Sequence, residues 1–197
     1  MIEDRRENIL KAATDVFAKY GFYGAKMEDI AKKAGIGKGT IYGYFDSKES
    51  LFYEMIKHGI EEYEKGLTII LNENHSFEQK LYALCRFHGQ YLNRYIDISQ
   101  IIMTEKEVLP KELMKDIIEE KIQLFNRIKK AIEEAINNGE LRKNLDSQLA
   151  TIIIIGSIGQ FYGQKICYEK IDHNKVDPKN LIATIFNGVK SISGRSK

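Results

Sequence analysis

Residues 35–49 read GIGKGTIYGYFDSKE, and the reading of this stretch decides the fold. Four glycines, Gly35, Gly37, Gly39 and Gly43, fall in its first nine positions, among two tyrosines, a phenylalanine and two lysines. A glycine inside a helix costs about 0.5–1 kcal/mol relative to alanine, yet the residues around these glycines are spaced as in a helix. The stretch is therefore punctuated helix rather than loop.

Upstream, Ile9, Ala13, Val16, Phe17 and Tyr20 recur on one face of an amphipathic helix. Gly21 is placed to end it, and Glu3 and Asp4 suit its N-terminus. Met27, Ile30, Ala31 and Ala34 give a second, short helix stopped by Gly35, and a third runs from about Lys38 to Tyr44. Asp46 or Ser47 caps a fourth, which opens the apolar pattern of Leu51, Phe52, Met55 and Ile56.

Downstream the helical pattern continues, near 47–71, 76–94, 98–107, 111–137, 146–169 and 178–192. Ser76 and Asp146 read as N-caps, Gly139 as a stop, and Pro110 and Pro178 sit at helix starts. No strand-type alternation or repeat interrupts this. The expectation is an all-α chain of about nine helices. Residues 1–46 form a three-helix domain and residues 47–197 a larger helical domain, with the fourth helix as connector.

Composition excludes several classes. The 197 residues carry a net charge of +2, so nucleic-acid binding needs a local patch rather than a basic balance. Cys85 and Cys167 show no metal-type spacing and form no disulfide framework, and His58, His75 and His173 show no mutual spacing for a metal site. The N-terminus has no apolar signal segment, and the stretch from Leu149 to Tyr162 is too short and too polar to span a membrane. The expected location is the cytoplasm. No nucleophile–base grouping or phosphate-binding loop suggests an enzyme, and no cofactor or metal is assigned.

Two helices joined by a short glycine-containing turn are the elements of a DNA-binding helix-turn-helix. Here Met27–Ala34 is the supporting helix, Gly35-Ile36-Gly37 the turn and Lys38–Tyr44 the recognition helix. Ala31 allows a close crossing, and Ile30, Ile36 and Ile41 form the small core between the helices, extended by Phe45. Lys38, Thr40, Tyr42 and Tyr44 then face outward. That face supplies phosphate donors and one short base-reading side chain.

Phe22-Tyr23-Gly24-Ala25, Met27-Glu28-Asp29-Ile30-Ala31, Ala34-Gly35-Ile36, Lys38-Gly39-Thr40-Ile41-Tyr42 and Tyr44-Phe45-x-Ser47-Lys48-Glu49 follow one another at fixed spacing. Together they resemble the signature of the tetracycline-repressor (TetR) family over about the first 55 residues. The resemblance implies that Lys38, Tyr42, Tyr44 and Lys48 clamp the DNA backbone, and that Gly39 and Thr40 lie closest to base edges. Lys26 stands where the family commonly has a Ser or Thr cap, and Gly37 where it commonly has Ser. Lys26 and Gly37 are therefore added to the DNA-binding set, with Lys26 restoring a phosphate contact electrostatically. At Gly43 many relatives carry a large polar side chain, so fewer direct base contacts are expected here.

For the remainder, the family implies a ligand and dimerisation domain. Residues 149–162 are apolar nearly all round, as in a helix buried on most sides. Gly156, Gly159 and Gly163 share one face, and Leu181, Ile185 and Val189 offer another; both are assigned to a homodimer interface. Phe87, His88, Tyr91, Met103, Phe125, Phe161 and Tyr162 are assigned to a pocket for a small, largely hydrophobic effector. The implied function is a repressor that binds an inverted-repeat operator as a dimer and is released by ligand. The alternative is a constitutive DNA binder without effector.

Overall fold

Gly21 interrupts the first helix, as its placement predicts. In the computed structural model α1 (Ile2–Gly24) breaks at Gly21, with φ 68° and ψ 176°, before a final turn. The structure describes residues 2–104 and 111–188. After α1 come α2 (Met27–Lys33), α3 (Lys38–Tyr42), α4 (Lys48–Asn72), α5 (Phe77–Thr104), α6 (Lys111–Asn137), α7 (Ser147–Tyr162) and α8 (Lys179–Asn187). A π-helical segment, Gly163–Tyr168, continues α7, and a 3-10 turn covers His173–Lys175. The described residues contain no strand.

The expected caps act as such. Ser47 Oγ accepts the Ser50 amide at 3.0 Å, and Asp146 accepts the Leu149 amide at 2.9 Å. Ser76 and Gln79 form a reciprocal box: the Ser76 amide donates to Gln79 Oε1, and Ser76 Oγ accepts the Gln79 amide. Pro178 stands at the N-cap of α8, while Pro110 lies outside the described residues.

The recognition helix ends at Tyr42 rather than Tyr44, and three larger departures from the sequence reading lie downstream. The helices expected at 76–94 and 98–107 are one helix, α5, because residues 95–97 contain no breaker and Tyr95 and Ile98 are both buried, which carries the apolar stripe across. The helix expected at 146–169 changes from α to π winding at Gly163. The last helix closes at Gly188, with φ 72°, and residues 189–192 lie outside the described part.

The chain divides into two compact units. One comprises Met1–Lys65 with Arg94–Ile122, the other Gly66–Asn93 with Gln123–Lys197. In the first, α2 packs against α1 and α3. Ile9, Ala13, Val16 and Phe17 are buried as their periodicity demands, whereas Tyr20, at the end of that stripe, is half exposed. The Phe17 ring meets Phe52 edge-on at 4.8 Å and stacks on Phe22 at 6.0 Å, and Phe22 meets Phe52 at 5.2 Å, which ties α1 to α4. Tyr53 donates to Asp116 at 2.8 Å and Tyr95 to Glu62 at 2.5 Å, linking α4 to α6 and α5 within the same unit.

In the second unit α7 packs against α8. Thr151, Ile154, Ile158 and Tyr162 form its buried stripe. The expectation that residues 149–162 are covered on most sides is not met within one chain. Leu149 and Ile152 are each 53% exposed and Ile153 48%.

Candidate nucleic-acid interface and effector region

The turn between α2 and α3 is built by backbone geometry. The Gly35 amide donates to Lys32 O and the Ile36 amide to Ala31 O, the paired bonds of a Schellman ending. That ending needs a left-handed residue, and Gly35 has φ 69°. Gly37 is the N-cap of α3 in extended conformation, and its carbonyl accepts from Thr40 and Ile41. Ile30, Ala31, Ile41 and Phe45 are buried; Ile36, in the turn, is half-buried. With Ile41 and Phe45 inward, Lys38, Gly39, Thr40 and Tyr42 are exposed together and Tyr44 is half-buried. A Cβ added at Gly39 would meet open space.

Two of the cations at this surface, Lys38 and Lys48, already have internal partners. Lys38 forms an ion pair and hydrogen bond with Glu28, which holds the Glu28 carboxyl below and the Lys38 ammonium above their ordinary values. Lys48 Nζ donates to Ala25 O at 3.2 Å and Tyr23 O at 3.4 Å, and lies 4.6 Å from the centre of the Phe22 ring. Lys26 is exposed at the N-cap of α2 and makes no side-chain cap bond. Gly43 has an ordinary φ of −75°, and a Cβ there would sit 3.3 Å from Thr40 O.

Glu28 stands in the family motif, but the sequence reading gave it no role at the site. It lies ten positions from Lys38 on another helix, so only the folded turn brings the two together.

In the second unit the structure gathers part of the expected effector set. Phe161 meets Tyr162 edge-on at 5.4 Å, and His88 faces Tyr162 edge-on with centroids 6.0 Å apart. The Tyr162 ring lies so close on Gly89 that a methyl group there would overlap it, and Phe87 covers Gly66 in the same way. The Tyr162 hydroxyl is fully buried and has no hydrogen-bond partner among the described residues; burial raises its pKa. Burial also lowers the His88 pKa to about 4, so the imidazole is neutral at physiological pH. Tyr91 and Phe125 are half-buried, and the side chain of Met103 lies outside the described residues.

A separate cleft of about 480 Å³ opens among Phe77, Ile132, Leu141, Arg142, Leu145 and Ile154, with Leu149, Ile153, Ile185 and Phe186 at its α7–α8 side. None of the expected effector residues lines it. Its two carboxylates both cap helices: Glu140 accepts the Phe77 amide at 2.6 Å, and Asp146 caps α7. No pattern in the sequence marked this cleft, because the loop between α6 and α7 supplies much of its wall.

The expected dimer residues Gly156, Gly159 and Gly163 have open space where a Cβ would stand. Leu181 and Ile185 are half-buried, and Val189 lies outside the described residues. Cys85 is buried, its thiol pushed up to about 12 by burial, and Cys167 is a free thiol. Among the described residues no group of three or more His, Cys, Asp or Glu side chains is placed to hold a metal, and no helix is long and apolar enough to cross a membrane.

A glycine-ended supporting helix, a short second helix and an exposed Lys–Gly–Thr–Tyr face define a helix-turn-helix DNA-binding protein. Residues 9–55 match the model of the bacterial regulatory proteins of the tetR family, and residues 74–163 match the tetracyclin repressor-like C-terminal domain. The chain belongs to the TetR family and is a DNA-binding transcriptional regulator. It is 28% identical over 155 residues to the fatty acid metabolism regulator protein of Bacillus subtilis, covering 77% of this chain and 78% of that one. Among solved structures, the fatty acid degradation regulator FadR from Bacillus halodurans is similar, with TM-score 0.71 and 26% identity over 93% of this chain and 99% of that one. So is FadR from Bacillus subtilis in complex with stearoyl-CoA, with TM-score 0.72 and 24% identity over the same shares.

Proposed function

We propose that the chain is a homodimeric repressor that binds an inverted-repeat operator through residues 26–48 and is released by a fatty acyl thioester. The helix-turn-helix with its exposed Lys38–Tyr42 face carries the DNA part of this reading. Residues 1–46 are its DNA-binding domain and residues 47–197 its effector and dimerisation domain. Lys26, Lys38, Tyr42, Tyr44 and Lys48 hold phosphates, and Gly39 and Thr40 approach base edges. The exposed apolar face of α7 with Phe186 supports dimerisation, since a partner presenting the same face would cover Leu149, Ile152 and Ile153 and meet the open glycines. A two-fold dimer carries two recognition helices and calls for a palindromic site.

The effector reading is supported by the relatives that regulate fatty acid metabolism, one of them crystallised with stearoyl-CoA. It is also supported by the aromatic cluster of His88, Phe161 and Tyr162, which contains a buried hydroxyl without a partner. A neutral imidazole and a phenol are suited to a thioester carbonyl rather than a carboxylate.

Selection of bound duplexes from a random pool, followed by titration with stearoyl-CoA, tests the whole reading. The expected result is a palindromic consensus whose complex dissociates with acyl-CoA but not with coenzyme A alone. Selected sites without two-fold symmetry would overturn the dimeric operator. The tight seating of Phe87 on Gly66 and Tyr162 on Gly89 favours the second reading, a constitutive DNA binder. DNA affinity and thermal midpoint both unmoved by acyl-CoA of any chain length would establish that reading instead.

A further inference from the structure

We propose that Glu28 is an electrostatic brake on DNA binding: in the free protein its carboxylate holds the Lys38 ammonium that would otherwise neutralise a phosphate. Lys38 is the first residue of α3 and Glu28 the second of α2, and their side chains meet across the turn. Both side chains are more than half exposed. Their pairing therefore contributes little to folding, on the scale of exposed pairs, which is about 0–1 kcal/mol. Its consequence lies at the DNA surface.

Lys26 also acts on Glu28, adding to the attraction that keeps its carboxyl ionised. The carboxylate thus stands among the cations that the DNA-binding reading hands to phosphates. Lys48 is held separately by two backbone carbonyls and the Phe22 ring. On a duplex, Lys38 has two choices. It stays on Glu28 and contributes no phosphate contact, or it leaves and strands an anion beside a polyanion. Either course lowers affinity. Because phosphates carry no sequence information, the reduction applies to every duplex and limits binding by charge alone.

The inference rests on the DNA-binding role and needs no operator to test. Anisotropy titrations over a potassium chloride series would use the full-length protein and a labelled duplex of arbitrary sequence, about 30 base pairs long. Glu28→Gln is expected to tighten binding about threefold to tenfold and to steepen the slope of log K against log salt by about 0.9 for each lysine released. In a Lys38→Gln background the same change should leave the slope unsteepened and tighten binding much less, since it then removes only the repulsion between the carboxylate and the phosphates. Asp29→Asn alters net charge equally on the same helix turn, without a side chain paired to Lys38, and should change the slope little.

An effect of Glu28→Gln no larger than that of Asp29→Asn would overturn the proposal. So would an undiminished effect in the Lys38→Gln background, since Glu28 would then act by general repulsion. Unchanged circular dichroism melting of Glu28→Gln separates these outcomes from a folding defect. Failure of all variants and the wild type to bind the duplex would instead count against the DNA-binding role.

Discussion

The two compact units use aromatic residues in opposite ways. In the first, Phe17, Phe22 and Phe52 pack on one another and close a core that leaves the reading face polar. In the second, Phe87 and Tyr162 press onto bare backbone at Gly66 and Gly89, one buried hydroxyl has no partner, and an apolar face stays exposed. The first unit closes an aromatic core and presents an exposed helix-turn-helix face, while Ile118 and Ile122 of α6 are each 53% exposed. In the second, the unpartnered hydroxyl and the exposed apolar face are the features on which the proposed effector and dimer contacts rest, while the tight seating on the glycines counts against an effector there. A sensor needs both designs: a rigid reader, and a part whose energy a ligand can change.

Disrupting the aromatic triad is the strongest way to break this contrast. Phe17→Ala should destabilise the protein by about 3–5 kcal/mol in urea denaturation and abolish DNA binding with it. Acid comes next. Folded His88 stays neutral down to about pH 4, whereas the unfolded chain takes up that proton near 6.5. Between those values the unfolded state binds more protons. Stability is therefore full above 6.5, falls as pH drops, and stops falling on this account below about 4. The slope should approach about 1.4 kcal/mol per pH unit, and His88→Gln should flatten it in denaturation curves taken across this range.

Gly89→Ala probes the second unit sterically. Its methyl overlaps the Tyr162 ring, and the expected cost is about 1–3 kcal/mol, with altered thermal response to stearoyl-CoA and DNA affinity preserved at temperatures where the protein remains folded. Within the reader, two glycines separate fold from function. Gly35→Ala forces a left-handed alanine and should cost about 1–2 kcal/mol. Gly39→Ala meets no atom of the protein, so the melting temperature should hold or rise while operator affinity falls about tenfold, or about 1.4 kcal/mol. The smallest effect belongs to Lys26→Ser. It supplies the missing cap of α2 and should add up to about 1 kcal/mol of stability, while flattening the salt dependence of DNA binding.

Most of the reader was legible in the chain. The spacing of Met27, Ile30, Ala31 and Ala34, the glycine that follows, and the inward Ile41 and Phe45 are local consequences of helix periodicity and of backbone sterics. Those forces act over a few residues, so they leave their record in consecutive sequence. The same holds for the caps at Ser47, Ser76 and Asp146.

What the sequence did not disclose depends on residues far apart in it. Continuity of α5 through Tyr95 was a matter of burial, not propensity. The apolar surround of residues 149–162 read as burial on most sides, yet one chain covers only the Thr151, Ile154, Ile158 and Tyr162 side. The pairing of Glu28 with Lys38, the seating of Tyr162 on Gly89 and the cleft beside Arg142 all arise between segments that meet only after folding.

The sequence by itself determined an all-helical chain with a glycine-ended helix pair, because turns, caps and amphipathic stripes are set by short-range geometry, and the polar face of residues 38–44 with the family resemblance pointed to DNA. Only the tertiary structure decided which reading-face lysine is held by an acid, which hydroxyl is buried without a partner and which apolar face is left open. Charge pairing and burial are properties of surfaces in contact, and contact is made by the fold.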